Sequence, residues 1–357
     1  MIKQTKDMTL SVLKKESANK NMIFSPLAIQ TALEMLAEGA VGETKAQIEA
    51  VLPEGKAAVF SNNDGKFSQA CALFLGKNFG HAVKDDYIQK QKKLRDAEVF
   101  TDVKDPDEIN GWFKEKTLGL IPKVVDKISP EMVLSLVSAL AIDMKWREKF
   151  NGGVDHGSFY SIYGNPFSVI ETSGTFRSDA VAYSQNIALT VLSMDLEPCG
   201  DTQLEYIAVM PENLSRYLRS LTPEKLKADM SGLTKSSELP YGIDVTVPRF
   251  SFDHSLNFKN DLKALDITDV FDPDKADLSA MSDAPLYVSE ASHMAKIDFS
   301  EKGIKAGAAC HIVAVLGCLP VERPYIVIDH PFLFVIRDKK SGAVLFAGTV
   351  YEPERTR

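Results

Sequence analysis

Cysteine is scarce in this 357-residue chain: four residues, Cys71, Cys199, Cys310 and Cys318, none in a CxxC pair or beside a histidine at zinc-ligand spacing. This excludes a disulfide scaffold and a local metal site, and free thiols in a reducing compartment are expected. No apolar run reaches the length of about eighteen residues that a membrane-spanning helix needs, so no membrane association is expected. Residues Met1 to Lys20 carry Lys3, Lys6, Lys14 and Lys15 but no apolar core of a signal peptide. A cytoplasmic location is therefore expected, with secretion open through a removed leader or a leaderless route. Positive charge is not in excess either. Lys plus Arg is 41 against 49 for Asp plus Glu, a net charge of −8, which argues against nucleic acid as a partner.

Catalytic signatures are also missing. There is no GxSxG elbow, P-loop, GxGxxG or HExxH. The six histidines, His81, His156, His254, His293, His311 and His330, lie far apart. The expectation is a protein that is not an enzyme, with no catalytic residues, metal or cofactor. A hydrolase site assembled only in space stays open as a rival.

The composition does support a folded core, with 45% apolar and 25% charged residues. No linker, repeat or low-complexity tract interrupts the chain, so a single domain over 1–357 is expected. The first half reads as helices at Asp7–Glu16, Pro26–Glu38, Glu43–Val51, Asp85–Leu94 and Ile109–Leu118, with a strand at Phe67–Leu75. Val133–Met144 is nearly all apolar, the pattern of a central strand covered on both faces. The second half favours strands at Ile187–Met194, Leu204–Met210, Ile243–Phe252, Leu286–Phe299 and Tyr325–Ile336. Helices intervene at Leu214–Leu221, Pro223–Met230 and Leu256–Leu265. Helices early and strands late make the class α+β rather than alternating βαβ.

The most informative segment is Glu301–Pro320, EKGIKAGAACHIVAVLGCLP. It is poor in charge and rich in small residues, and its even positions, Ile304 to Leu316, are all apolar or small. That is imperfect strand alternation. The glycines at 303, 307 and 317 disfavour a helix. The segment suits a chain that is an exposed loop in one state and a strand in another, although an ordinary sheet strand would give the same pattern.

Here the chain resembles the serpin family, over nearly its whole length. Asn21–Ile48, Asn110–Lys123, Leu136–Phe150 and Ala276–Glu301 each resemble family segments in the family's order. So do His330-Pro331-Phe332-Leu333-Phe334, Leu345-Phe346-Ala347-Gly348 and Glu352-Pro353 at the C-terminal end. The resemblance implies a large mixed β-sheet with smaller sheets, eight or nine helices and an exposed reactive loop at about 301–324. It also implies a suicide-substrate protease inhibitor: a target protease cleaves the loop, which then inserts into the main sheet and traps the acyl-enzyme. The partner would be that protease, held covalently by a monomer.

Residue by residue, the hinge corresponds to Glu301, Gly303, Ile304, Ala306, Gly307, Ala308 and Ala309. Ile304 departs from the family, which usually has a small hydroxyl residue at the first inserting position. The scissile bond falls at Gly317–Cys318, or at Leu316–Gly317 in the alternative register. Leu316 suits chymotrypsin-like, cathepsin G-like or papain-like enzymes, and Gly317 suits elastase-like ones. Arg323 would attract a trypsin-like enzyme but lies near the returning strand. Ser25 and His293 match residues that pin the opening of the sheet. Ser138 stands where the family usually has Asn, and Ala28 where a Ser is usual nearby. Trp146 matches a tryptophan at the top of the sheet. Leu52–Cys71 is short for a serpin, which removes much of the glycosaminoglycan-binding helix, and the negative charge argues against heparin activation. Lys90, Lys92, Lys93 and Arg95 read as a solvated helix face. A Cys310–Cys318 bridge would block insertion, whereas small apolar filler is the simpler role for both. Asn213-Leu214-Ser215 is a glycosylation sequon, meaningful only in a secretory pathway. A non-inhibitory serpin, acting as carrier or chaperone, is the main alternative.

Overall fold

The computed structural model describes residues 7–16, 19–60, 65–77, 80–129, 132–289, 291–304 and 323–355. Among these, the α-helices are α1 (Met8–Glu16), α2 (Pro26–Gly39), α3 (Gly42–Glu49), α4 (Asp85–Arg95), α5 (Pro106–Lys116), α6 (Leu214–Ser220), α7 (Pro223–Asp229) and α8 (Lys259–Ala264). The strands are β1 (Met22–Phe24), β2 (Phe67–Gly76), β3 (Glu98–Val103), β4 (Leu134–Ile142), β5 (Met144–Lys145), β6 (Gly153–Tyr160), β7 (Pro166–Phe176), β8 (Val181–Gln185) and β9 (Leu189–Asp195). They continue with β10 (Leu204–Pro211), β11 (Thr234–Lys235), β12 (Ile243–Pro248), β13 (Phe250–Asn257), β14 (Ser292–Ser300), β15 (Gly303–Ile304), β16 (Tyr325–Val327), β17 (Phe332–Asp338) and β18 (Val344–Val350). The class is α+β, as the order of patterns implies.

Helix starts follow from local chemistry. The Ser25 hydroxyl accepts the Ala28 N–H at 3.1 Å, and Pro26 fills the first position of α2, where no N–H is needed. Asp105 and Glu108 form a reciprocal capping box at α5. Proline also divides two segments that read as single strands. Pro248 ends β12 before β13 begins, and Pro331 precedes β17, because proline has no N–H to give to a ladder.

The chain forms two compact units. One comprises Met1–Ser11, Ser25–Ile142 and Ser255–Ala295; the other comprises Val12–Phe24, Asp143–His254 and Lys296–Arg357. In the first unit, β3-β2-β4 form a sheet in which β2 runs parallel to β3 and antiparallel to β4. Phe74, Trp112 and Val103 pack on one another beneath it. The nearly all-apolar run Val133–Met144 contains β4 and the first residue of β5. Among the described residues β4 pairs with β2 alone, and Leu134 to Ser138 are only half-buried. Between α3 and β2 no helix occurs among the described residues. Instead an extended strap is held by side chains: Ala57 N–H donates to Glu34 at 2.7 Å, and Gln69 donates to the Ala58 carbonyl at 2.9 Å.

In the second unit, seven strands form an antiparallel sheet in the order β1-β18-β17-β10-β9-β8-β11. A four-stranded sheet, β16-β12-β7-β6, carries a parallel pair, with Tyr325 opposite Asp244. Its β6–β7 hairpin has little signal in the sequence. β6 contains Gly153, Asp155, Gly157 and Ser158 and buries only Phe159, so cross-strand pairing rather than propensity makes it a strand. A third group places β15 between β14 and β5.

The hinge as candidate functional site

Gly303 and Ile304 are already a strand. On one side Ile304 lies opposite Phe299 and Gly303 opposite Ser300; on the other they lie opposite Met144 and Lys145. Both ladders are antiparallel. Ile304 is 3% exposed, against Phe299 and Met144 that are equally buried. The branched side chain that departs from the family pattern is thus seated without a polar group to desolvate. Burial of that size stabilises by about 2 kcal/mol. Gly303 is required by geometry. Its φ is +146°, and a Cβ there would sit 2.1 Å from the Met144 carbonyl oxygen.

The seat for this strand is closely packed. Trp146 is fully buried and packs on Phe299, Tyr206 and Phe150, with ring centroids 5.1, 5.9 and 6.2 Å away. Its indole N–H donates to the Ser300 carbonyl at 2.8 Å. The far edge of β5 is fixed by backbone bonds. Glu197 N–H donates to Lys145 at 2.8 Å, and Arg147 N–H donates to Asp195 at 2.9 Å. The buried Asp195 carboxylate also takes Arg147 and Lys339, at 3.2 and 2.7 Å. Glu301, at the turn before β15, faces Arg249 at 3.8 Å, and neither Arg249 Nε nor Glu301 Oε2 makes a hydrogen bond.

The distal end of the segment is tied down as well. Arg323 bonds Thr175 at 3.3 Å and Asp244 at 3.4 Å, and the Pro324 carbonyl accepts the Asp244 N–H at 2.9 Å. Arg323 is thereby engaged with the sheet. Ala306, Gly307, Ala308, Ala309, Cys310, Leu316, Gly317 and Cys318 lie outside the described residues, as do both scissile-bond registers and the Cys310–Cys318 pairing.

Ser25 and His293 come together, and Ser138 does not join them. The Ser25 N–H donates to His293 Nε2 at 2.9 Å. The Ser138 hydroxyl is buried without an oxygen or nitrogen partner. It lies against the Cys71 thiol, its direct neighbour across the β2–β4 ladder. Burial pushes that thiol up to about 11, against the smaller opposing pull of Ser138 and Arg95.

Arg95 overturns part of the solvated-face reading. Lys90, Lys92 and Lys93 are exposed, but the Arg95 side chain is only 7% exposed and pairs with Glu34 at 3.0 Å and Glu38 at 2.9 Å. Burial raises the proton affinity of Glu38, yet hydrogen bonds from Arg95, Gln91 and Lys56 outweigh it and bring its pKa down to about 2. The signal was available: Glu34 and Glu38 stand one turn apart on a largely apolar helix, which demands a cation in return. Asn213 caps α6 by accepting the Arg216 N–H at 2.8 Å, so the sequon asparagine already has a structural task.

Comparison with known proteins agrees with this architecture. Residues 4–353 match the family model described as Serpin (serine protease inhibitor). The chain is 29% identical to human Serpin B8 over 367 residues, covering 96% of each. It is 28% identical to plasminogen activator inhibitor 1 of Neovison vison, covering 94% of this chain and 88% of that protein. Among solved structures, the thermophilic serpin tengpin in its native state superposes with a TM-score of 0.79 at 26% identity, covering 98% of this chain and 93% of tengpin. Thyroxine-binding globulin in complex with thyroxine gives 0.80 at 22% identity, covering 98% of each, a likeness of fold alone. The chain belongs to the serpin family. No helix among the described residues is long and apolar enough to cross a membrane.

Proposed function

We propose that this serpin is a suicide-substrate protease inhibitor. A target protease cleaves at Gly317–Cys318 or Leu316–Gly317, and the segment after Glu301 then enters the sheet as a strand, carrying the acyl-enzyme with it. The single observation that carries this reading is the strand Gly303–Ile304, seated between Phe299 and Met144. The pairing of the bulky Ile304 with both neighbours supports the reading that its bulk does not bar entry. Continuing the strand by about a dozen residues would add about as many backbone bonds. At about 1 kcal/mol net each, that is on the order of 10 kcal/mol. An uncleaved loop that forgoes this must be held kinetically.

Leu316 and Gly317 direct the inhibitor to chymotrypsin-like, cathepsin G-like or elastase-like serine proteases, or to papain-like cysteine proteases. Arg323, bound to Asp244 and Thr175, is not offered to a trypsin-like enzyme. The test is a panel of these proteases, followed by denaturing gels and mass spectrometry of the released peptide. A denaturant-resistant complex with cleavage after Leu316 or Gly317 is expected. Clean cleavage by every enzyme, with no complex from the chain or from its Ile304→Thr variant, would favour a carrier instead.

A further inference from the structure

The C-terminal tail is joined to the hinge through one residue. Arg249 lies at the passage from β12 to β13, and its main chain closes a ring of three backbone hydrogen bonds. Arg249 N–H donates to Ile170 at 2.8 Å, Glu354 N–H donates to Arg249 at 3.0 Å, and Ile170 N–H donates to Glu354 at 3.1 Å. The tail is fastened again one residue on. Arg355 pairs with Val169 in an isolated bridge, and its guanidinium sits 4.6 Å from the Phe167 ring centroid. Arg249 therefore has little freedom in its main chain, and its side chain points to Glu301.

At the other end, Glu301 is also fixed. Ser300 is held by Trp146, and Gly303 and Ile304 are in their ladders. Two opposite charges thus face each other at 3.8 Å, with Arg249 Nε and Glu301 Oε2 both buried and neither hydrogen-bonded. A closer approach would form a charge-assisted hydrogen bond, which is stronger than a neutral one. Both members of the pair sit on main chain that is held by hydrogen bonds.

We propose that the tail, Glu354 and Arg355, is a brake on the hinge: it keeps Arg249 from following Glu301 when Gly303 and Ile304 enter the sheet. Releasing the tail lets Arg249 close on Glu301 in the seated state and so favours seating. Arg249 and Glu354 are positioning residues. The inference rests on the reading of 301–304 as a hinge, but its test needs no protease.

The experiment is hydrogen–deuterium exchange of peptides covering residues 299–304, in the full chain and in a chain ending at Pro353. The tail-less chain is expected to exchange these amides severalfold more slowly. In a Glu301→Gln background the truncation is expected to change nothing, because the response passes through that carboxylate. A full-length Arg355→Ala variant, which loosens the tail without touching a hinge bond, is expected to slow exchange in the same direction and decides the matter if the shortened chain does not fold. Unchanged or faster exchange, or equal slowing with Gln at 301, would overturn the brake. Failure to trap any protease would sink the inhibitor reading and leave this result standing.

Discussion

The indole N–H of Trp146 donates to the main-chain carbonyl of Ser300 at 2.8 Å, inside a cluster where Trp146 is fully buried. Ser300 is the last residue of β14, and the hinge strand folds back on it. Trp146→Phe keeps most of the ring packing and removes the donor, leaving a buried carbonyl unpaired. A loss of about 2 kcal/mol is expected in urea unfolding. Faster amide exchange at residues 299–304 should accompany it. Unchanged exchange there would mean that the bond does not support the hinge.

Gly303→Ala tests the seat itself. The added methyl would overlap the Met144 carbonyl oxygen at 2.1 Å and would have to adopt a φ of +146°. The variant should still fold, because the loss is confined to a two-residue strand. Its Ile304 should become exposed, and cleavage by a target protease should give more free product and less complex. A variant that traps protease as well as the parent would show that seating at Gly303 is not on the inhibitory path.

The Glu38–Arg95 pair sets an acid limit on the first unit. The folded pKa of Glu38, about 2, lies below its ordinary 4.5. Its contribution to stability is therefore fully present above pH 4.5 and is lost as the pH falls from 4.5 to about 2. Glu38→Gln should flatten the decline of the urea midpoint across that window. Arg95→Met should cost about 3 kcal/mol at neutral pH by leaving two buried carboxylates without their cation. A parallel decline in parent and Glu38→Gln would contradict the assignment.

Cys71 should be inert in the folded protein. Its thiol is buried and its pKa raised to about 11, so almost none is thiolate near neutrality. Labelling by a thiol reagent at pH 8 should leave Cys71 unmodified in tryptic maps and modify it fully after unfolding. Rapid labelling of the folded chain at this position would mean that the β2–β4 ladder opens.

Much of this was legible in the sequence. Ser25-Pro26 announces α2, and Asp105-Pro106 announces α5. Other features depend on residues distant in the chain. Gly153 to Tyr160 form a strand only because β7 supplies a ladder. Arg95 turns inward only because α2 brings Glu34 and Glu38 to it. The fit of Ile304 could not be read either: its bulk suggests an obstacle, and only the pocket formed by Phe299 and Met144 removes it.

In the proposed mechanism the strand begun at Gly303 and Ile304 extends once the loop is cut. The most direct measurement is thermal unfolding of the intact chain beside the chain cleaved after Leu316 or Gly317 by a non-target protease, with both fragments retained. Gaining about a dozen strand bonds, at about 1 kcal/mol each, predicts a rise in the unfolding temperature of tens of degrees. An unchanged unfolding temperature in the cleaved chain would contradict the account, because the loop would then have been cut and not inserted.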